Sequence, residues 1–477
     1  MFGSKKIELP GTIYIQVSCY RGNLISVFGL RRIKLIDNIS GLQLYQLMKP
    51  LIFLIISIVF TKKLSRSEIG QFEMFMFIVG FMNFFWVTGI IQSLLPLYNR
   101  NKTYRVVGQA PKTKSPEIFN AFLLLCVFSV LFFMMGHSLK SHFSVFHLSG
   151  NVPYINLLLL YMLLSSPVNL IEYIYLLNNR SYRIFQYGLY TYTAQLLLII
   201  IPVLLGKDII WSIYGLILIS VVRWIWLIIL LRRYTEMKVS VDFIKEHLYL
   251  GTPLIITSLI SGSPQYIDGV IISSVYRDPA VFAWFRYGAK EFPLVLMLAN
   301  GLSNAMLPEF STREKMKESL DKIRRKSEKL MHILFPSAIF IMLICKWLYP
   351  RMFNPDFAKS ADVFLVYSLM IIPRLVFPQT IIMGRKKTHI IMIAGIMEVL
   401  FNIPLSLLML KWNYGIVGVA VSTFIVTVIS KLFLTGYVWS KMKIKPSEYI
   451  PFKTYTFYFI LISIVFILID HGIINIH

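Results

Sequence analysis

The chain has 477 residues, is 56% hydrophobic and has a mean hydropathy of +0.67. A soluble domain of this length has no core large enough to hide that much apolar surface, so the composition excludes a soluble protein and indicates a polytopic membrane protein. The formal charge of +25 would suggest nucleic acid in a soluble chain, but here the cations gather in short loops on one side, and no nucleic-acid partner is expected. Cys19, Cys126 and Cys345 lie far apart, so neither a disulfide framework nor a metal or other cofactor is expected.

Residues 1–40 are mixed polar and basic and lack a clean apolar stretch before a small-residue cleavage site; they read as a cytosolic N-terminal arm. Thirteen apolar runs of about 20 residues or more follow, each long enough to span a bilayer as a helix. They fall at 41–61, 69–98, 117–137, 153–177, 184–206, 209–231, 248–274, 280–308, 331–349, 361–383, 388–410, 414–439 and 453–470. Lys and Arg divide roughly three to one in favour of the loops that share a side with the N-terminus, which places those loops in the cytoplasm. With thirteen spans the C-terminus lands outside. The largest external segment, 138–152, is too short for a catalytic domain, and no enzymatic motif is present.

The two halves echo each other. Tyr161 and Pro167 in the fourth span answer Tyr367 and Pro373 in the tenth; Gly89 to Pro96 answers Gly301 to Pro308; Tyr214-Gly215 answers Tyr414-Gly415; Pro50-Leu51-Ile52 answers Pro253-Leu254-Ile255. Four matches in one order, each about 200 residues apart, indicate a parallel repeat of six spans related by an axis along the membrane normal. The expected architecture is therefore all-α: a first half at 41–231, a basic linker at 232–247, a second half at 248–439, and a segment at 440–477 holding the thirteenth span. A cavity between the halves is the expected site. Pro167, Pro293, Pro373, Pro378 and Pro404 are expected to kink spans at membrane depth.

Charges within spans mark function by default, because each costs roughly 2.5–3.5 kcal/mol near the bilayer centre. Arg286 and Lys290 stand four apart in the eighth span and would share one helical face. Arg223, Arg374 and Lys431 are further inward cations. Together these five are the candidate substrate-binding residues. Asp268, Glu291 and Glu398 are candidates for ion coupling or structural ion pairs, with Asp268 able to reach Arg286 across the hairpin turn near Tyr276. Glu172 reads as a residue near a cytoplasmic helix end.

Several passages resemble one family. Leu64-Ser65-Arg66-Ser67-Glu68-Ile69-Gly70, Phe285-Arg286-Tyr287-Gly288, Ala305-Met306-Leu307-Pro308, Glu398 to Pro404, and Tyr414-Gly415 to Thr423 are similar to polysaccharide flippases of the multidrug/oligosaccharidyl-lipid/polysaccharide exporter superfamily. The similarity covers about 40–440. The resemblance implies a multi-pass protein of the bacterial inner membrane with a cationic central cavity. It implies turning an undecaprenyl-pyrophosphate-linked oligosaccharide from the cytoplasmic to the periplasmic leaflet by alternating access. Lipid-linked oligosaccharide, membrane lipids and the polysaccharide polymerase machinery are the implied partners. The forty-residue leader and the thirteenth span depart from the family, where twelve or fourteen spans are usual. Two other readings are a drug/cation antiporter of the same superfamily, whose site should be dominated by carboxylates, and a membrane-embedded glycan polymerase or transferase.

Overall fold

The computed structural model describes residues 38–106, 114–139, 152–178, 180–311 and 316–473. Residues 1–37 of the expected N-terminal arm, most of the 138–152 loop and Cys19 lie outside these. The described residues form helices joined by short turns, with no strand among them. The first half comprises α1 (Asn38–Lys63), α2 (Arg66–Val106), α3 (Pro116–Leu139), α4 (Ile155–Ser165), α5 (Leu170–Leu177), α6 (Ser181–Leu204) and α7 (Ile209–Tyr234). The second comprises α8 (Val241–Gly262), α9 (Pro264–Tyr276), α10 (Pro279–Gly288), α11 (Pro293–Met306), α12 (Met316–Met352), α13 (Ala358–Ser368), α14 (Ile371–Arg374), α15 (Pro378–Gly384), α16 (Thr388–Lys411) and α17 (Gly415–Met442). The short α18 (Pro446–Tyr449) and the apolar α19 (Phe452–Asp470) follow.

Among the described residues, nine helices are long and apolar enough to cross a membrane, ten if the bent pair Pro355–Arg374 and Pro378–Gly384 is one span. The other three expected spans are present in different form: α1, the pair α8–α9, and the pair α10–α11. The eighth was expected as one helix over 280–308, but it is two helices separated by Ala289 to Phe292. The cause is local. Proline disfavours helical backbone in the residue before it, and Phe292, ahead of Pro293, sits at φ −60°, ψ 114°. Pro293 and Pro378 therefore open new helices, where proline's missing N–H costs nothing, and do not merely bend old ones. Pro404 lies inside an unbroken α16.

The packing order recurs. In the first half α1 packs on α6, α6 on α7, α3 on α4 and α4 on α7; in the second α9 packs on α16, α16 on α17, α12 on α13 and α13 on α17. Between the halves the main bridge is α2, which runs along α8 and α10. That approach needs bare backbone: a Cβ on Gly70 would overlap the Pro279 carbonyl, and one on Gly89 would overlap the backbone of Ile255. The expected thirteenth span, α19, docks on α12, where the Tyr458 ring stacks on Phe335 at 5.0 Å and its hydroxyl meets His332 Nδ1 at 3.0 Å.

Candidate functional site

At the end of the bundle carrying the α1–α2 turn, external on the charge count, the halves are tied by polar contacts. Asn354 Nδ2 donates to the Thr61 carbonyl at 2.6 Å, and Arg66 Nη2 meets Asp356 Oδ1 at 2.6 Å. The Arg66 guanidinium also lies 5.7 Å from the centre of the Trp284 ring. One level deeper, Arg286 Nε is 3.7 Å from Glu73 Oε2, and its guanidinium lies 5.4 Å from the Phe77 ring centre. That separation is an ion pair without a hydrogen bond, and the buried Arg286 Nε has no hydrogen-bond partner among the described residues.

Two expectations about Arg286 change. It does not share a continuous helix face with Lys290, because α10 ends at Gly288 and Lys290 lies in the break. Nor does it pair with Asp268. The carboxylate of Asp268 turns the other way and accepts three hydrogen bonds: from Tyr367 Oη at 2.6 Å, Thr423 Oγ1 at 2.6 Å and Asn402 Nδ2 at 2.8 Å. Asp268 is 4% exposed and joins α9 to α13, α16 and α17. Three neutral donors suit an acceptor-only carboxylate.

The helix breaks collect the next charges. Glu291, in the α10–α11 break, receives Arg374 in a two-pronged contact, Nε to Oε2 at 2.8 Å and Nη2 to Oε1 at 2.6 Å. Arg374 ends α14, just before the α14–α15 break. Lys431 on α17 donates to Gln379 Oε1 at 2.7 Å and to the Val376 carbonyl at 3.3 Å, an acceptor freed by that same break. Glu398 lies beside Ser430 and has Lys431 and Arg374 as charged neighbours. Lys290 lies over the Tyr287 ring, 4.7 Å from its centre, with Glu73 and Arg286 as its charged neighbours.

In the first half Arg223 on α7 donates to Gln195 Oε1 at 2.8 Å and lies over Tyr192 at 5.2 Å. Its buried Nε has no hydrogen-bond partner among the described residues. Glu172, five residues before the end of α5, has Lys49 on α1 and Arg223 on α7 as charged neighbours.

A family model described as "Polysaccharide biosynthesis protein" matches residues 59–362. The chain belongs to that polysaccharide biosynthesis family. The fold agrees. The lipid II flippase MurJ in an inward closed conformation superposes with a TM-score of 0.64 at 17% identity, covering 91% of this chain and 94% of that one. An inward-facing multidrug-resistance MATE transporter of the MOP superfamily gives 0.58 at 14%, covering 86% and 98%. The eukaryotic MATE transporter AtDTX14 gives 0.59 at 10%, covering 89% and 97%. At these identities the likeness establishes the fold, and it is the fold of the superfamily that the sequence motifs resemble. A search of curated protein sequences returns no match.

Within this family member, sequence reasoning overlooked two charged residues. Glu73 lies in the second apolar run, five residues after Glu68, and is the partner that Arg286 finds. Lys49 directly precedes Pro50 in the first run and is exposed in mid-helix. Both were legible as charges inside apolar runs.

Proposed function

We propose that this protein carries an oligosaccharide linked to undecaprenyl pyrophosphate across the bacterial inner membrane, from the cytoplasmic to the periplasmic leaflet, for surface polysaccharide assembly. One observation carries the reading. Arg223, Lys290 and Lys431 lie within spans, yet none has an ion pair among the described residues; an amide oxygen, an aromatic ring, and an amide with a backbone carbonyl hold them instead. Cations held by neutral acceptors keep charge for an anionic head group. Three membrane carboxylates, by contrast, are matched directly, Glu73 by Arg286, Glu291 by Arg374 and Asp268 by three donors, while Glu398 lies beside Lys431 and Arg374 and Glu172 beside Lys49 and Arg223. A cationic drug would need a carboxylate free of such partners, so the antiporter reading has less support.

The mechanism follows from the fold. The recurrent packing order supports two repeats that rock about a site between them. Pyrophosphate and acidic sugars meet Arg223, Lys290 and Lys431 while the polyprenyl tail stays in lipid. The Thr61–Asn354, Arg66–Asp356 and Glu73–Arg286 contacts close the external side in this cycle, so Arg286 holds the closed state. The test is transfer of a fluorescent undecaprenyl-pyrophosphate oligosaccharide between leaflets of proteoliposomes. Arg223→Gln and Lys290→Gln should each slow it at least about tenfold, the equivalent of about 1.4 kcal/mol. Unchanged transfer in the double variant, or extrusion of cationic dyes dependent on Glu398, would overturn the proposal.

A further inference from the structure

The helix α11 descends from the Lys290–Glu291 break toward the cytoplasmic end of α12. Between these two helices lies a cavity of about 410 Å³. Its α11 wall is apolar and low, with Met297, Leu298, Gly301 and Ala305; its α12 rim carries Lys326 and Lys329. The two lysines stand three apart and so project from one helix face. The other described cations of this stretch either are paired or, like Lys317 and Arg324, do not line the cavity. Lys322 is paired with Glu309, and Arg325 meets Asp321 at 2.8 Å. Lys326 and Lys329 are exposed and have no ion pair among the described residues.

The depth of this feature matters. In α12, the first charged stretch ends at Lys329 and a run without Lys, Arg, Asp or Glu extends from Leu330 to Cys345, before Lys346. The lysines therefore sit where the membrane interface begins, and the trough along Met297 to Ala305 continues into the inner-leaflet half. An apolar channel below the interface with two unpaired cations at its mouth matches an anionic amphiphile: phosphate on the lysines, hydrocarbon in the trough.

We infer that this trough is a loading site for the phosphorylated isoprenoid lipid, occupied before the head group reaches Lys290 at the upper end of α11. The inference rests on the transport reading above and adds to it a position for the tail and the lipid phosphate. Charge complementarity selects the occupant. A neutral lipid leaves both lysines unmatched, and a free sugar phosphate leaves the apolar wall wet.

The test is photolabelling of the purified full-length protein in phosphatidylcholine nanodiscs. The probe is farnesyl pyrophosphate with a diazirine on its terminal isoprene unit. Label is expected in peptides covering 293–306 and 316–330, competed by undecaprenyl phosphate and not by inorganic phosphate. The Lys326→Gln/Lys329→Gln double variant should label roughly thirtyfold less, from about 1 kcal/mol per lysine at a membrane surface. Gly301→Leu, which fills the trough without altering charge, should also lower labelling. Unchanged labelling in the lysine variant overturns the inference, as does equal competition by phosphatidylglycerol, which would mark the trough as a bulk-lipid groove. Oligosaccharide transfer separates the two proposals. If Arg223→Gln and Lys290→Gln block transfer while the trough variants neither transfer nor label differently from wild type, the trough fails and the transport reading stands. If neither set blocks transfer, both fail.

Discussion

Asp268→Ala should lower stability by about 3 kcal/mol. The substitution removes the acceptor for Tyr367 Oη, Thr423 Oγ1 and one N–H of Asn402. The three donors do not suffer equally. Thr423 Oγ1 already lies 3.2 Å from the Val419 carbonyl and can donate there, and the second N–H of Asn402 already meets Thr423 Oγ1 at 3.1 Å. That leaves two orphaned donors, the Tyr367 hydroxyl and one amide N–H. Each unsatisfied buried donor costs about 1–3 kcal/mol in soluble proteins. Hydrogen bonds measured within membranes average only about 0.6 kcal/mol, because the unfolded state in lipid also finds partners. The two scales bracket the loss between about 1 and 6 kcal/mol. Thr423→Ala and Tyr367→Phe, which each leave the carboxylate two donors, should cost less than half as much. The assay is thermal unfolding in detergent, followed by fluorescence and aggregation. A loss below about 0.5 kcal/mol for Asp268→Ala, with transfer abolished, would refute the hub reasoning and favour an ion-coupling role.

Arg374→Ala should both destabilise and inactivate, because it leaves Glu291, 15% exposed at its side chain, without its two-pronged partner; with Arg374 itself 37% exposed, the loss should fall below the roughly 3–5 kcal/mol of a fully buried pair. The exchange Arg374→Glu with Glu291→Arg should recover most of the unfolding temperature, and failure to recover any would count against the pair. Arg66→Ala should change stability by less than about 1 kcal/mol, since Arg66 and Asp356 are each 45% exposed. Gly70→Leu should instead separate α2 from α10, read as new reactivity toward external thiol reagents of a cysteine placed at Thr61. Cysteines placed at Lys441 and Lys411 should react from the cytoplasmic and external sides respectively; the reverse pattern would invert the topology.

Much of the fold was legible because bilayer thickness imposes a length on apolar runs, and that length survives in a linear chain. The eighth span shows where the rule stops. Apart from Arg286, Lys290 and Glu291, its composition over 280–308 is apolar enough for one helix, and only the pairing of Phe292 with Pro293 signals the break. Proline at that place reads equally as a kink or a start. The outcome depends on whether Glu291 and Lys290 gain more from leaving the helix than the lost backbone bonds cost. In this structure Glu291 gains Arg374, and that residue comes from a second broken span about eighty residues later. No local pattern records that meeting.

The charges teach the same lesson at the level of the site. Spacing placed Asp268 and Arg286 at similar depths on adjacent helices, and depth alone made them partners. What spacing omits is the angle around each helix. Asp268 faces into its own half, toward Tyr367, Asn402 and Thr423, while Arg286 faces α2 and meets Glu73. The consequence is functional. An Asp268–Arg286 pair would have lain wholly within the second half and moved with it as a rigid unit. The Glu73–Arg286 pair instead crosses from one half to the other, so separating the halves must break it and expose both charges. Arg286 is thereby placed to make its strongest contacts in only one conformation, and a ligand can shift a two-state equilibrium only through such differential contacts. In the proposed transport cycle, an anionic head group that replaced Glu73 on Arg286 would weaken the closed contact at the moment of binding and so help to release the external side.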